Sequence, residues 1–167
     1  GMAVVNQDIY PVAPIGTEFA DIVLPAATWG EENFTRCNGE RRLRLYSKIA
    51  DAPGDAMPDW KIIAGFAKKM GFKGYNWKDS NEIFEEAARF GRKSVRNYHP
   101  LVVKAKRDGV RAHDLLKSYG TQGIQTPIRM VGGKLVGTAR LHDETLELGP
   151  PEGPTMHRKW LTKFNTQ

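Results

Sequence analysis

The stretch Thr17–Arg42, TEFADIVLPAATWGEENFTRCNGERR, constrains the fold more than any other part of the chain. Its run Phe19-Ala20-Asp21-Ile22-Val23-Leu24 is short, apolar and rich in β-branched residues, which suit a pleated, buried strand. Pro25 closes the run because proline has no N–H to give to a ladder. The earlier segment Ala3–Asp8 also reads as a strand, and the Pro-containing loop Tyr10–Gly16 joins the two. A short connection between them predicts parallel neighbours in one sheet.

A polar loop follows, with adjacent carboxylates at Glu31 and Glu32, and then Thr35, Asn38, Glu40, Arg41 and Arg42 set closely around Gly39. Loops at the mouth of a strand are where α/β folds place binding groups. Guanidiniums grip phosphate or carboxylate in bidentate fashion, and Asn38 and Thr35 offer short donors and acceptors. The same residues also fit a solvated hairpin loop whose Glu and Arg side chains pair with one another.

Further on, Arg42–Tyr46 alternates charged and apolar residues, as a strand with one buried face does. Asp51–Asp55 turns the chain. Pro58 suits a first helical turn, and Trp60, Ile63, Ala64, Ala67 and Met70 recur at helical spacing up to Gly71, with Trp60 and Ile63 expected to face the core. Asp79 followed by Glu82 resembles a capping box, opening a helix with an apolar face of Ile83, Phe84, Ala87 and Phe90. Between the helices lie Phe72, Tyr75 and Trp77, which suit core packing better than base stacking. Short helices are expected from Pro100 to Lys106 and from His113 to Tyr119. Gly132-Gly133 is a two-residue turn between Ile128–Val131 and Lys134–Thr138, hence a hairpin. The Gly/Pro run 149–154 can hold neither ladder nor helix, so the division is an α/β domain over 2–145 and an extension over 146–167.

Bulk properties narrow the function. At 167 residues the chain can form one core, and no apolar run approaches the roughly 20 residues of a membrane helix. No signal peptide is readable, and Gly1 before Met2 has the look of an expression scar. The net charge of +6 draws the protein toward anions, but the basic residues are scattered, which argues against a nucleic-acid surface. Cys37 is the single cysteine, so the chain can hold neither an internal disulfide nor a cysteine-ligated iron–sulfur cluster. Arg36 and Arg41 near Cys37 could lower its pKa, but no general base is apparent. His99, His113, His142 and His157 are too spread for a metal motif and read as packing or surface residues.

The run Ala20–Ala27, then Trp29-Gly30-Glu31, Thr35, Asn38, Glu40-Arg41-Arg42, Pro53-Gly54 and Pro58-Asp59-Trp60, resembles the molybdopterin oxidoreductases of the dimethyl-sulfoxide-reductase type. Asn38–Leu45, with Gly123–Pro127 and Leu135–Thr138 downstream, is similar to the large, catalytic subunits of arsenite oxidases within that family. The resemblance implies an interior fragment of the family's α/β domain, with short parallel strands, flanking helices and a β-hairpin. It implies a parent with molybdenum on two pyranopterin guanine dinucleotides, an iron–sulfur cluster outside this chain, a small Rieske-type subunit, a periplasmic location and oxidation of arsenite to arsenate. Glu31, Thr35, Asn38, Glu40, Arg41 and Arg42 would border the cofactor, the arginines toward its anionic groups, and the fragment alone would be inactive. The alternative is a stand-alone basic module for an anionic partner or nucleic acid. A piece of the parent with its interdomain surfaces bare is a third reading.

Overall fold

The computed structural model describes residues 1–10, 14–92 and 94–138, so the expected extension over 146–167, His142 and His157 lie outside the described residues. Mixed α/β structure is present, as expected. Strand β1 (Val5–Asp8) pairs in parallel with β2 (Ile22–Pro25), from Val5 opposite Ile22 to Asp8 opposite Pro25. Asp21 pins that register from both sides: its carboxylate accepts from the Val4 amide at 2.8 Å and its own amide donates to the Val4 carbonyl at 2.9 Å. A π-helical turn, Ile15–Phe19, lies between the strands. Past β2, Ala26 bridges Met57 and thereby brings helix α1 (Asp59–Lys69) alongside, where Gln7 donates to the Asp59 carboxylate at 2.6 Å.

Two expectations fail in this region. The strand at β2 forms, but Ile22 and Val23 are exposed rather than buried. Only β1 pairs with it among the described residues, and a parallel sheet buries its residues only when both faces are covered. In α1 the inward residues are Ile62, Ala64 and Ala67, whereas Ile63 is 54% exposed and Trp60 only half-buried. Apolar residues run most of the way around this helix, so their spacing does not choose a side.

The second region has its own core. Strands β3 (Phe34–Cys37) and β4 (Arg42–Tyr46) form an antiparallel hairpin, and β5 (Ile124–Gln125) joins β4 on the other edge. Helices α2 (Ser80–Ala87), α3 (His99–Arg107) and α4 (Ala112–Lys117) pack against its inner face. Leu43, Phe84, Leu101, Val102, Leu116, Ile124 and Ile128 meet there with small alanines at 88, 105 and 112. Tyr98 stacks on Phe84 at 4.5 Å and donates its hydroxyl to the Phe84 carbonyl at 3.2 Å; burial pushes its pKa up to about 12. The hairpin β6 (Arg129–Val131) and β7 (Lys134–Val136) turns at Gly132 and Gly133, whose φ angles of +54° and +77° explain the Gly-Gly pair.

Asp79 caps α2 as its sequence suggests, accepting from Asn81 and Glu82 amides at 3.0 and 3.2 Å, while Glu82 reaches back one residue further, to the Lys78 amide. Burial pushes the Asp79 carboxyl up, but the Arg111 guanidinium and the two cap amides outweigh it and hold the pKa below the usual carboxylate range. The inward face of α2 is Asn81 and Phe84, continued by Ala88, and not the expected stripe: the helix ends at Ala87, leaving Phe90 84% exposed. The aromatic group also differs from expectation. Phe72 is exposed, and Trp77, edge-on to Tyr75, donates to the Glu86 carboxylate at 2.7 Å on the surface of α2.

His113 is buried beside the Phe84 ring, its amide bound to the Asn81 side-chain oxygen at 2.8 Å and its Nε2 without a partner among the described residues. Burial lowers its pKa from 6.5, Arg111 adds to this, and Asp79, Asp114 and Glu85 oppose it. A histidine whose folded pKa is depressed binds its proton more readily in the unfolded chain. Its contribution is complete above about pH 6.5 and is lost as pH falls toward the lower folded value. Thermal unfolding across pH 7 to 5 should therefore show falling stability, with a shallower slope in His113→Leu; an unchanged slope would contradict this.

Candidate functional site

The polar cluster expected around Gly39 is the tip and stem of the β3–β4 hairpin. The Arg41 amide closes the tip on the Asn38 carbonyl at 2.8 Å. Arg41 itself stands at φ +59°, a left-handed conformation that costs a non-glycine residue about 1 kcal/mol or more. What holds it there is the chain some 85 residues away: Thr126 gives its amide to the Arg41 carbonyl at 2.8 Å and its hydroxyl to the same oxygen at 3.2 Å. In return the Arg41 guanidinium donates to the Thr126 carbonyl and, at 3.2 Å, to the Thr138 carbonyl. Thr126 and Thr138 are both fully buried, and the Thr138 hydroxyl bonds the Pro127 carbonyl at 2.7 Å.

Arg42 and Arg44 are similarly engaged. Arg42 donates to the Gln122 carbonyl at 3.1 Å, and Arg44 donates to the Thr121 carbonyl at 2.8 Å and pairs with Glu40 at 2.5 Å. That bond from Arg44, with the local backbone amide, holds the Glu40 carboxyl below its ordinary pKa. The segment from Thr121 to Thr126 lies flush on β4, and Gly123 permits it: a Cβ there would stand 2.1 Å from the Leu43 carbonyl oxygen, and its φ is +56°.

The remaining expected residues spread out. Thr35 sits within β3 opposite Leu45, on the face whose neighbour Cys37 lies 3.7 Å from the Thr126 hydroxyl. Glu31 belongs to the preceding turn, where its carboxylate accepts from the Thr28 amide at 2.9 Å. Glu32, beside it, has its pKa raised by burial and by Asp59, with Lys61 opposing. So Asn38, Glu40, Arg41 and Arg42 come together, Thr35 adjoins them on the stem, and Glu31 stands apart. Sequence reasoning missed the partners: Arg44, Gln125, whose amide reaches the Glu40 carbonyl at 3.0 Å, and the threonines. The signal was present, since Gly123–Pro127 and Leu135–Thr138 stood out as motifs, but nothing local says that they cradle Arg41. Among the described residues no group of three or more His, Cys, Asp or Glu could hold a metal.

Arg41→Ala should lower stability by about 1–3 kcal/mol, because charged hydrogen bonds to buried carbonyls are lost, and Arg41→Gly should recover part of that by relieving the backbone. Chemical denaturation of both variants checks this. Gly123→Ala should cost about 3 kcal/mol or more through backbone overlap; a wild-type midpoint in either Ala variant would contradict the packing described.

Comparison with known proteins gives the chain its relatives. Residues 3–69 match the Molybdopterin oxidoreductase family. Over 99% of its length the chain is 66% identical to the iodate reductase subunit IdrA of Denitromonas iodatirespirans and 63% identical to IdrA of Pseudomonas sp. (strain SCT). It is 36% identical, over 86% of its length, to the arsenite oxidase subunit AioA of Herminiimonas arsenicoxydans. The expected likeness to arsenite oxidases is thus real but more distant than that to iodate reductases. The chain spans 19% of the length of each of these relatives. The family match thus covers residues 3–69, and the likeness to the iodate reductase subunits extends over nearly all of the chain.

Proposed function

We propose that the chain is part of the catalytic subunit of a molybdenum enzyme that reduces an oxyanion of the iodate kind. The single observation that carries this reading is the 66% identity to an iodate reductase subunit, against 36% for arsenite oxidase. Arsenite oxidation remains the second reading on the strength of that more distant match. The parent would carry the molybdenum bis(pyranopterin guanine dinucleotide) cofactor and an iron–sulfur cluster held outside this chain, work beside a Rieske-type small subunit and reside in the periplasm.

Within that parent the hairpin tip forms one rim of the cofactor site. Glu31, Thr35, Asn38, Glu40, Arg41 and Arg42 border it in this reading. The groups here fit a rim and not an enclosing pocket, since the Arg41 and Arg42 guanidiniums already bond main-chain carbonyls. Arg41 is then a positioning residue that fixes the tip, and Arg42, Asn38 and Glu40 present the polar edge. The cofactor, when bound, supplies two-electron chemistry with oxygen transfer. This chain's residues hold its surroundings in shape.

The test is to sequence the DNA on both sides of the reading frame and express the longer polypeptide. The frame should run on in both directions, and the product should carry molybdenum and reduce iodate faster than it oxidises arsenite. Arg42→Ala should lower its molybdenum content. Stop codons closely bracketing the frame would overturn the proposal.

A further inference from the structure

The outer face of the β3–β4 hairpin carries an arrangement that its own fold leaves unbalanced. By strand alternation Phe34 and Arg36 of β3 and Arg42, Arg44 and Tyr46 of β4 point away from the core that Cys37, Leu43 and Leu45 face. Arg36 stands directly opposite Arg44 in the register, and like charges at that separation are unfavourable. Arg44 is balanced by Glu40, but Arg36 is exposed and makes no hydrogen bond or ion pair among the described residues. Beside the arginines Phe34 and Tyr46 stack at 4.9 Å with planes 6° apart, a flat apolar shelf one step along the same face.

The position of β3 adds the second element. It is the outer strand of the order β3-β4-β5, and no backbone bond beyond the β4 ladder engages residues 34–37 among the described residues. Alternate N–H and C=O groups of β3 therefore point outward, as a template for another strand. Such an edge invites self-association, but two copies meeting there would bring Arg36 near Arg36. The positive side chain disfavours a second copy and favours a carboxylate.

We infer that the β3 edge accepts an added strand in which a carboxylate faces Arg36 and an apolar side chain lies on the Phe34–Tyr46 shelf. The occupant is a segment of the polypeptide that continues beyond this chain, which spans 19% of the length of its relatives. This source rests on the proposed function; the chemistry of the edge does not. Main-chain bonds supply the register, and Arg36 selects the acidic sequence.

The probe is a synthetic peptide of alternating Glu and Val, with a Lys-Val peptide as control, added to this chain while backbone amides are followed by NMR. The Glu-Val peptide should shift the amides of residues 34–37 in a salt-sensitive way. Arg36→Glu should weaken it by about tenfold or more and improve the Lys-Val peptide instead. Equal binding of both peptides, no shift at β3, or dimerisation through β3 would overturn the inference. The longer polypeptide should no longer take up the peptide, because its own strand fills the edge; uptake there would overturn the assigned occupant. A closed reading frame would sink the proposed function and that occupant together, while the peptide result judges the edge separately.

Discussion

The guanidinium of Arg41, set on the main-chain carbonyls of Thr126 and Thr138, is the contact on which the hairpin region depends. A single side chain joins the tip of the hairpin to two segments distant in sequence. The joined carbonyls belong to residues that are fully buried, so leaving them without donors would carry a desolvation cost. The left-handed backbone at Arg41 is tolerated because the same residue receives the Thr126 amide and hydroxyl. Gly123 then lets the returning chain approach β4 closely enough for β5 to pair. A hairpin tip rich in charge is thereby made rigid, as the proposed role at a cofactor rim would require.

The two regions of the chain differ in how completely they satisfy themselves. The hairpin, α2, α3 and α4 enclose a shared core of large aliphatic and aromatic residues. In β1, β2 and α1, by contrast, Val5, Ile22, Val23, Ile63, Phe66 and Met70 remain exposed. That second set falls within residues 3–69, apart from Met70 at the helix end, which is the stretch matching the oxidoreductase family. Parallel strands draw little stability from one partner and no cover, so this region has the character of a sheet fragment.

Local chemistry was readable from sequence and distant chemistry was not. The Gly132-Gly133 hairpin, the Asp79 cap and the helix at Pro100 each follow from residues within a few positions of one another, and the parallel pair follows from two strand-like runs joined by a short connection. The failures share a cause. The inward side of α1 depends on a neighbour that its own spacing does not reveal, and Phe34–Cys37 becomes a strand through pairing with β4. Arg41 and Arg42 look like anion grips because guanidiniums commonly are; the carbonyls they meet come from residues 122–138. The molybdopterin-oxidoreductase resemblance was legible in the motifs from Ala20 to Trp60, whereas Asn38–Leu45 pointed to arsenite oxidases and the stronger likeness to iodate reductases emerged only from comparison of the whole chain.

Native-state amide hydrogen exchange on the 167-residue chain tests the central claim most directly. If the Arg41 tie closes a self-sufficient core, amides of β4, β5, α2, α3 and α4 exchange slowly and together, while those of β1 and β2 exchange much faster. Arg41→Ala should then speed exchange in β4 and β5 first. Uniform protection across both regions, or β4 and β5 amides unaffected by Arg41→Ala, would contradict the account.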